Sequence, residues 1–227
     1  YHQWTYDLKG NLLFAGTNMG GDFDKSLHGL KPAHCRTAGG FIFVCIAEQP
    51  PESDFDDFLA TLEEYMEPYD VENTKLAAES EMYEKANWKL VLENNRECYH
   101  CAGSHPELLN TLLEWDDTND PRATQEFIDY YNQQSSQWDQ EGIPHLHRSF
   151  GQRNRIVRMP LKPGASVMTI DGSEGCNKLL GRIKNHQLGS MRILHLPNSW
   201  NHMQSDHFIV FRVLPISAQE SLVTTKW

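Results

Sequence analysis

Two histidines and an acidic residue near the middle of the chain have the types and spacing of metal ligands. His100 and His105 stand five residues apart, and Glu97 precedes the first by three. Two imidazoles and one carboxylate on an octahedral ion leave positions open, which is the arrangement of oxygen-activating Fe(II) enzymes. An acid beside an imidazole also orients the ring and raises its basicity. The alternative is a pair of ordinary surface histidines.

The backbone must bend between the two histidines. Five residues of α-helix turn by about 500°, or about 140° net, so His100 and His105 cannot share a face of one unbroken helix. Gly103 offers the least costly bend, and Pro106 stops simple helix continuation. The spacing therefore predicts a helix over residues 86–101 that ends near His100. A second helix is predicted from Pro106, with His105 at its start.

A nearby cysteine pair offers a different metal site. Cys98 and Cys101 are spaced as Cys-x-x-Cys and could bind zinc together with the two histidines. The other cysteines, Cys35, Cys45 and Cys176, do not form a second paired motif. A non-catalytic zinc-binding domain therefore remains the alternative from another functional class, and the ratio of iron to zinc in the purified protein would separate the two.

Three segments resemble the Rieske non-haem iron oxygenases of the α-subunit type. The catalytic-domain signature of that family resembles Asn87-Trp88-Lys89, Glu93-Asn94 and Glu97-x-Tyr99-His100-x4-His105-Pro106. The end of its Rieske motif resembles Tyr1-His2-Gln3-Trp4, and its closing strand resembles residues 39–44. The resemblance covers nearly the whole chain, and the two histidine motifs in the family's order make it specific.

This resemblance implies an α+β fold with two parts. The first is the C-terminal part of a small β Rieske domain. The second is a helix-grip catalytic domain, in which an antiparallel sheet packs with helices. We expect a partial Rieske [2Fe-2S] domain over residues 1–48, a Pro-rich linker over 49–56, and an incomplete mononuclear iron domain over 57–227.

The resemblance also implies roles for individual residues. His2 would bind one iron of the Rieske cluster, whose ligand set is incomplete in this chain, and His100 and His105 would hold the mononuclear Fe(II). Glu97 would link His100 to the His2 of a neighbouring subunit in a homotrimer. The third iron ligand, a carboxylate, is expected after Trp227, with Asp206 or Glu97 itself as less favoured substitutes.

The string from Glu93 to Cys101 resembles the branch of the family that oxidises quaternary ammonium compounds such as glycine betaine, carnitine and stachydrine. The implied reaction is O2-dependent N-demethylation, which converts glycine betaine to dimethylglycine and formaldehyde. A flavin- and iron–sulfur-containing reductase would supply electrons from NAD(P)H. An aromatic ring-hydroxylating dioxygenase α subunit, with an apolar pocket, remains the alternative within the family.

A quaternary ammonium group is bound by aromatic faces, because it offers no conventional hydrogen-bond donor. The candidates for such contacts are Trp200, Tyr130, Tyr131, Trp138 and Phe150, with His202 as a polar neighbour. One arginine among Arg153, Arg155 and Arg158 could pair with a substrate carboxylate. Ordinary packing is the alternative for each of these side chains.

The composition is compatible with this assignment. The chain has 227 residues, a net charge of -11 and 39% hydrophobic residues. The negative charge makes nucleic acids and anionic membranes poor partners. We expect no membrane-spanning segment, because long apolar runs are missing from the sequence. Five cysteines without the pattern of a small disulfide scaffold favour the cytoplasm.

Periodicity indicates the elements that must hold the site. An amphipathic helix is predicted over residues 58–66, and the polar stretch 115–147 is predicted to cover the site entrance rather than join the core. The continuous apolar run 41–46 predicts a strand buried on both sides. Strands are also predicted over residues 156–159, 166–170, 190–196, 208–214 and 221–227. Strands that follow a helix pair favour an antiparallel sheet in an α+β domain.

Overall fold

The computed structural model describes residues 2–49, 54–113 and 117–227. The chain divides into two compact units, residues 1–37 with 41–52 and residues 38–40 with 53–227. Tyr1 of the Rieske-like motif, residues 50–53 of the predicted linker and residues 115–116 of the predicted site cover lie outside the described residues. The first helix begins at Asp54, inside the range predicted for the linker.

The first unit contains short antiparallel strand pairs. Strand β1 (Thr5–Tyr6) pairs with β2 (Leu12–Phe14), and β3 (His34–Ala38) pairs with β4 (Phe41–Cys45). The prediction that residues 41–46 are buried on both sides is wrong, since Ile42 and Val44 of β4 are 73% and 64% exposed. Within the described residues β4 has β3 as its partner strand, and Phe41 and Phe43 on the other face of β4 are only partly buried.

The second unit is built on a seven-stranded antiparallel sheet with the order β5-β11-β10-β9-β8-β7-β6. Its strands are β5 (Glu79–Glu84), β6 (Arg148–Phe150), β7 (Asn154–Met159), β8 (Ser190–His195), β9 (Ser199–Met203), β10 (Phe208–Ser217) and β11 (Glu220–Lys226). Four of the predicted strands are therefore confirmed. The strand predicted over residues 166–170 is wrong, because a turn occupies that stretch, where Ser166 N–H donates to the carbonyl of Gly172 at 2.7 Å.

In the described part of the chain four α-helices accompany the sheet: α1 (Asp54–Met66), α2 (Trp88–Arg96), α3 (Cys101–Ser104) and α4 (Gln125–Glu141). The Asn87 side chain caps α2 by accepting from Lys89 N–H, and the Thr124 side chain caps α4 by accepting from Phe127 N–H. Such caps satisfy backbone donors that have no partner inside the helix. Among the described residues, no helix combines the length and the apolar character that crossing a membrane would need.

The helices lie on opposite faces of the sheet. Phe58 of α1 stacks on His195 of β8, with ring centroids 5.9 Å apart. Neighbouring residues of a strand point to opposite faces of the sheet. Leu194, which precedes His195 in β8, packs in the cluster that holds Leu92 of α2, so α2 lies on the face opposite to α1. Helix α4 lies on the α2 side of β7 through Phe127, which packs on Val157. This arrangement is α+β, as predicted.

The helix predicted over residues 86–101 is shorter in the structure. Helix α2 ends at Arg96, and Glu97 beyond it has an extended backbone with φ −127° and ψ 161°. His100 precedes the four-residue helix α3, and a 3-10 helix over Pro106–Asn110 begins directly after His105. The prediction of a new helix at Pro106 is confirmed, whereas the prediction that His100 ends the first helix is wrong. The chain leaves the helix one residue before Glu97.

Candidate metal centre

The two histidines of the predicted iron site converge in the second unit. His100 stands before α3 and His105 after it, so the short helix brings both rings to one side. Their Nε2 atoms lie 2.9 Å apart. The ring centroids are 4.9 Å apart and the ring planes are inclined by 79°. Two ring nitrogens thus face a common point.

This separation fits two ligands of one metal ion. Two imidazole nitrogens at about 2.1 Å from an ion, at a right angle to each other, are about 3.0 Å apart. The observed Nε2–Nε2 distance of 2.9 Å matches adjacent positions of an octahedral site. His105 Nδ1 is buried and has no hydrogen-bond partner among the described residues. The geometry and the donor types therefore suit a divalent iron ion.

Glu97 contacts the opposite side of the His100 ring. Its Oε1 accepts from His100 Nδ1 at 2.7 Å, and its Oε2 accepts from the backbone N–H of Tyr99 at 2.6 Å. The Tyr99 N–H, followed by His100, holds the pKa of the Glu97 carboxyl below its usual value. An ionised Glu97 keeps the imidazole proton on Nδ1 and leaves Nε2 available to a metal. In this arrangement the Glu97 carboxylate holds the His100 ring at the nitrogen that points away from His105.

Asn94 is a further neighbour of His100 that the sequence interpretation did not select. Its Nδ2 lies 3.3 Å from Nδ1 and 3.4 Å from Nε2 of the ring. Near-equal distances to both nitrogens place the amide against the ring rather than in line with one lone pair. An unbroken helix would place Glu93, seven residues before His100, on the same face as that histidine. Because α2 ends at Arg96, that helical spacing does not hold, and Glu93 is exposed.

The cysteine pair of the zinc alternative is joined by a disulfide. Cys98 and Cys101 are bonded to each other, while Cys35, Cys45 and Cys176 are free. Cys101 is nevertheless close to the histidines: its Sγ and one ring nitrogen from each of His100 and His105 lie within 4.8 Å of one another. A bonded sulfur is not a thiolate, and the thiolate is the form that binds metals.

The predicted substrate-binding aromatic Trp200 is part of the core beneath α2. It stacks on Phe211 with ring centroids 5.0 Å apart and an interplanar angle of 14°. Both rings belong to the cluster that contains Leu92. His202, two residues along β9, lies on the same face of the sheet and meets Phe211 edge-on at 6.4 Å. Burial, and to a smaller extent the positive charge of Arg192, lowers the pKa of His202 to about 3.

The predicted tyrosines lie on α4. Tyr130 donates through its hydroxyl to the carbonyl of Leu161 at 3.0 Å, and Tyr131 meets Trp138 edge-on at 6.4 Å. Burial raises the pKa of both tyrosines, so both are neutral phenols. Phe127 and Trp138 are 5% and 1% exposed. The expectation that this stretch covers the site without joining the core is therefore wrong for α4, which packs on β7.

Phe150 and Arg158 are engaged elsewhere in the second unit. Phe150 meets Phe58 of α1 edge-on at 5.7 Å. Arg158 is fully buried and donates to the Pro144 carbonyl at 3.1 Å and to the Tyr69 hydroxyl at 3.0 Å. Its guanidinium thus belongs to the core rather than to a pocket. Arg153 and Arg155, the other candidates for a substrate carboxylate, flank the start of β7.

Asp206, one substitute considered for the third iron ligand, anchors a loop. Its side chain is fully buried, and its Oδ2 accepts the backbone N–H groups of Gly175 and Cys176, each at 2.9 Å. Its Oδ1 accepts from His207 Nδ1 at 2.6 Å. These bonds tie the β9–β10 connection to the loop before β8.

His2, the predicted Rieske ligand, lies in the first unit. It is exposed and occupies a turn before β1 with φ of 50°. Close by along the chain, Trp4 packs edge-on against Phe23 at 5.8 Å and His28 at 5.7 Å.

A family model described as the ring hydroxylating alpha subunit (catalytic domain) matches residues 66–227. The glycine betaine monooxygenase oxygenase subunit of Pseudomonas aeruginosa is 67% identical over 227 residues, which is all of this chain and 52% of that protein. The protein of the same name from Chromohalobacter salexigens is 58% identical over all of this chain and 51% of its own length. The chain therefore spans about half the length of these relatives.

Solved structures with the same fold include two kinds of oxygenase. A quaternary ammonium Rieske monooxygenase superimposes with a TM-score of 0.62 at 19% identity, over all of this chain and 50% of that one. A naphthalene 1,2-dioxygenase superimposes with a TM-score of 0.56 at 20% identity, over all of this chain and 51% of that one. At such identities the likeness concerns the fold alone.

Proposed function

This chain belongs to the ring hydroxylating alpha subunits of the Rieske non-haem iron oxygenases, and from that membership we propose that it is part of an oxygenase component that demethylates a quaternary ammonium compound. The proposed reaction converts glycine betaine, O2, two electrons and two protons to dimethylglycine, formaldehyde and water. The observation that carries this proposal is the 67% identity, over every residue of the chain, to a glycine betaine monooxygenase oxygenase subunit.

His100 and His105 are the proposed protein ligands of the mononuclear Fe(II). Bound there, iron would supply the activation of O2 and the hydroxylation of a methyl carbon. The hydroxylated methyl group then leaves nitrogen as formaldehyde. The 2.9 Å separation of the two Nε2 atoms supports this role. We propose a carboxylate as the third ligand, as the family implies.

Glu97 is the proposed positioning residue of the site. Its carboxylate holds the proton of His100 on Nδ1 at 2.7 Å, so that the ring presents Nε2 to the metal. We further propose that Glu97 connects His100 with the His2 of a neighbouring subunit in a homotrimer. The strong exposure of Tyr99, at 91%, supports a surface available for such a neighbour.

A Rieske [2Fe-2S] cluster is the proposed electron donor to the iron, with His2 as one ligand. Histidine in place of cysteine raises the potential of such a cluster. A flavin- and iron–sulfur-containing reductase would pass electrons from NAD(P)H to it. We place the protein in the cytoplasm, because the free and exposed Cys35 and Cys176 suit a reducing compartment.

The proposed substrate site lies on the α2 face of the sheet. Trp200, Tyr130 and Tyr131 offer aromatic surface, which attracts a quaternary ammonium group. His202 lies on the same face as Trp200, and its low pKa, about 3, keeps it neutral near pH 7. A neutral imidazole would not repel a cationic substrate, so His202 suits a polar position in this site.

Formaldehyde release by the complete polypeptide tests the proposal. The assay contains a suitable reductase, NADH and O2, with glycine betaine, carnitine, stachydrine or an aromatic acid as substrate. We expect formaldehyde with glycine betaine, at a rate that Glu97→Ala sharply lowers. Oxygen consumption on the aromatic acid, without formaldehyde from any quaternary amine, would instead support a ring-hydroxylating dioxygenase.

A further inference from the structure

We propose that Cys98 and Cys101 form a thiol–disulfide switch that decides whether sulfur is among the donors of the metal site. The inference rests on the proposed function, because it takes His100 and His105 as metal ligands. It adds a second, soft donor set to the same site, formed only when the disulfide is reduced.

The position of Cys101 carries this inference. Cys101 directly follows His100 in the chain. Its Sγ and one ring nitrogen from each of His100 and His105 lie within 4.8 Å of one another. The residue is 2% exposed, so its sulfur is held inside the protein beside the two rings. While bonded to Cys98, that sulfur cannot act as a thiolate ligand. Reduction would release it within reach of an ion held by both histidines.

The exposures of the two cysteines set the direction of the exchange. Cys98 is exposed, so the thiolate of an external dithiol can attack its Sγ. The bond between the two sulfurs breaks, and Cys101 leaves with the electron pair. The second thiol of the dithiol then displaces Cys98, which leaves a cyclic disulfide and two protein thiols. In the reverse direction, one hydrogen peroxide and the two thiols give the disulfide and two waters.

The two states offer different ions a site. The disulfide form presents two imidazoles and leaves the remaining positions to oxygen donors, which suits non-haem Fe(II). The dithiol form presents two imidazoles and a thiolate, a donor set typical of zinc. Cytosolic disulfides are usually transient and often sense redox state, which agrees with a pair placed at a metal site.

Zinc K-edge X-ray absorption on the full-length protein tests the switch. The mononuclear metal is removed with a chelator, the protein is oxidised or reduced with a dithiol, and one equivalent of Zn²⁺ is added after desalting. Alkylation and mass spectrometry of the tryptic peptide 97–122, which contains both cysteines, report the thiol state of each sample. We expect Zn–S scattering at about 2.3 Å in the reduced sample and its loss in the oxidised sample.

Cysteine variants assign the sulfur. Cys98→Ser leaves Cys101 free and should give Zn–S scattering under both conditions, whereas Cys101→Ser should give none. Cys176→Ser removes a free, exposed cysteine and should behave like the wild type. Zinc bound through nitrogen and oxygen alone, in both the reduced wild type and Cys98→Ser, would overturn the switch while leaving the histidine site intact. Zinc binding that His105→Ala leaves unchanged would instead count against the proposed function.

Discussion

The Nε2 atoms of His100 and His105 face each other at 2.9 Å, although five positions separate the two residues along the chain. Helix α3 is only four residues long and ends before His105, whose φ of −154° and ψ of 67° are not helical. The two rings therefore do not have the offset that a continuous helix would impose. On the far side of the first ring, Glu97 holds Nδ1 at 2.7 Å. One imidazole is thereby fixed at both nitrogens.

Removal of either imidazole should empty the mononuclear site. We expect His105→Ala in the full-length protein to lose the mononuclear iron and to keep the visible spectrum of the [2Fe-2S] cluster, since the ligands of that cluster are separate residues. Iron content and absorption spectra measure the two effects. His147→Ala replaces an exposed histidine and serves as the matched control. Full iron content in His105→Ala would contradict the site.

Glu97→Gln should test the orientation of the His100 ring while leaving the His100 side chain itself in place. The amide can still contact His100, but it no longer attracts the proton on Nδ1 as a carboxylate does. Changes to such supporting groups typically cost about 10–100-fold in metal affinity or activity. We expect formaldehyde release to fall by that factor while most of the iron remains. Glu63→Gln, at an exposed position of α1, should leave the rate unchanged. An unaltered rate in Glu97→Gln would argue against the assigned role.

The partly buried His202 should make stability depend on pH. Its pKa is about 3 in the folded protein, against 6.5 ordinarily, so between these values the unfolded chain binds a proton that the folded protein does not. The free energy of unfolding should therefore fall as pH is lowered through this window, by up to about 1.4 kcal/mol per pH unit from this group. Urea unfolding at several pH values measures the slope.

A variant isolates the contribution of this histidine. His202→Gln should flatten the slope below pH 6.5, whereas replacement of the exposed His147 by glutamine should preserve it. An equal slope in the wild type and His202→Gln would show that other groups carry the acid sensitivity.

Loss of the buried carboxylate of Asp206 should loosen the loop before β8. Asp206→Asn weakens bonds to Gly175 N–H, Cys176 N–H and His207, and hydrogen bonds to charged groups contribute about 1.5–3 kcal/mol. We expect destabilisation of that order, with faster amide hydrogen exchange at residues 175 and 176. Asp171→Asn changes an exposed carboxylate in the loop before β8 and should have a smaller effect on stability. Unchanged exchange rates in Asp206→Asn would contradict the anchoring role.

Local sequence signals predicted much of the sheet and most of helix α1. The strands β7, β8, β10 and β11 have apolar, β-branched runs, and these are the elements that periodicity identified. Strand β5 was missed because its sequence, Glu-Ser-Glu-Met-Tyr-Glu, is charged and exposed, as suits the edge of a sheet. Residues 166–170 look like a strand, but they form a turn closed by Ser166 and Gly172.

The site was predicted in its residues but not in its backbone. The spacing of His100 and His105 required a bend, and Gly103 was taken as its place. In the structure α2 ends earlier, at Arg96, and Gly103 lies inside α3. No local signal marks that end, because the residues after Arg96 have ordinary helix propensity. Hydrogen bonds that Glu97 makes to the Tyr99 backbone and to His100 favour the extended conformation instead.

The shortness of α3 has a kinetic consequence. Between residues 97 and 105, Cys101 is the one residue that is fully buried, and the others are exposed or half-buried. A segment with so little buried surface can open without unfolding the sheet below it. Exchange of a bound ion with solution should then follow the opening rate of this segment, and thermal denaturation would report nothing about how long the ion stays.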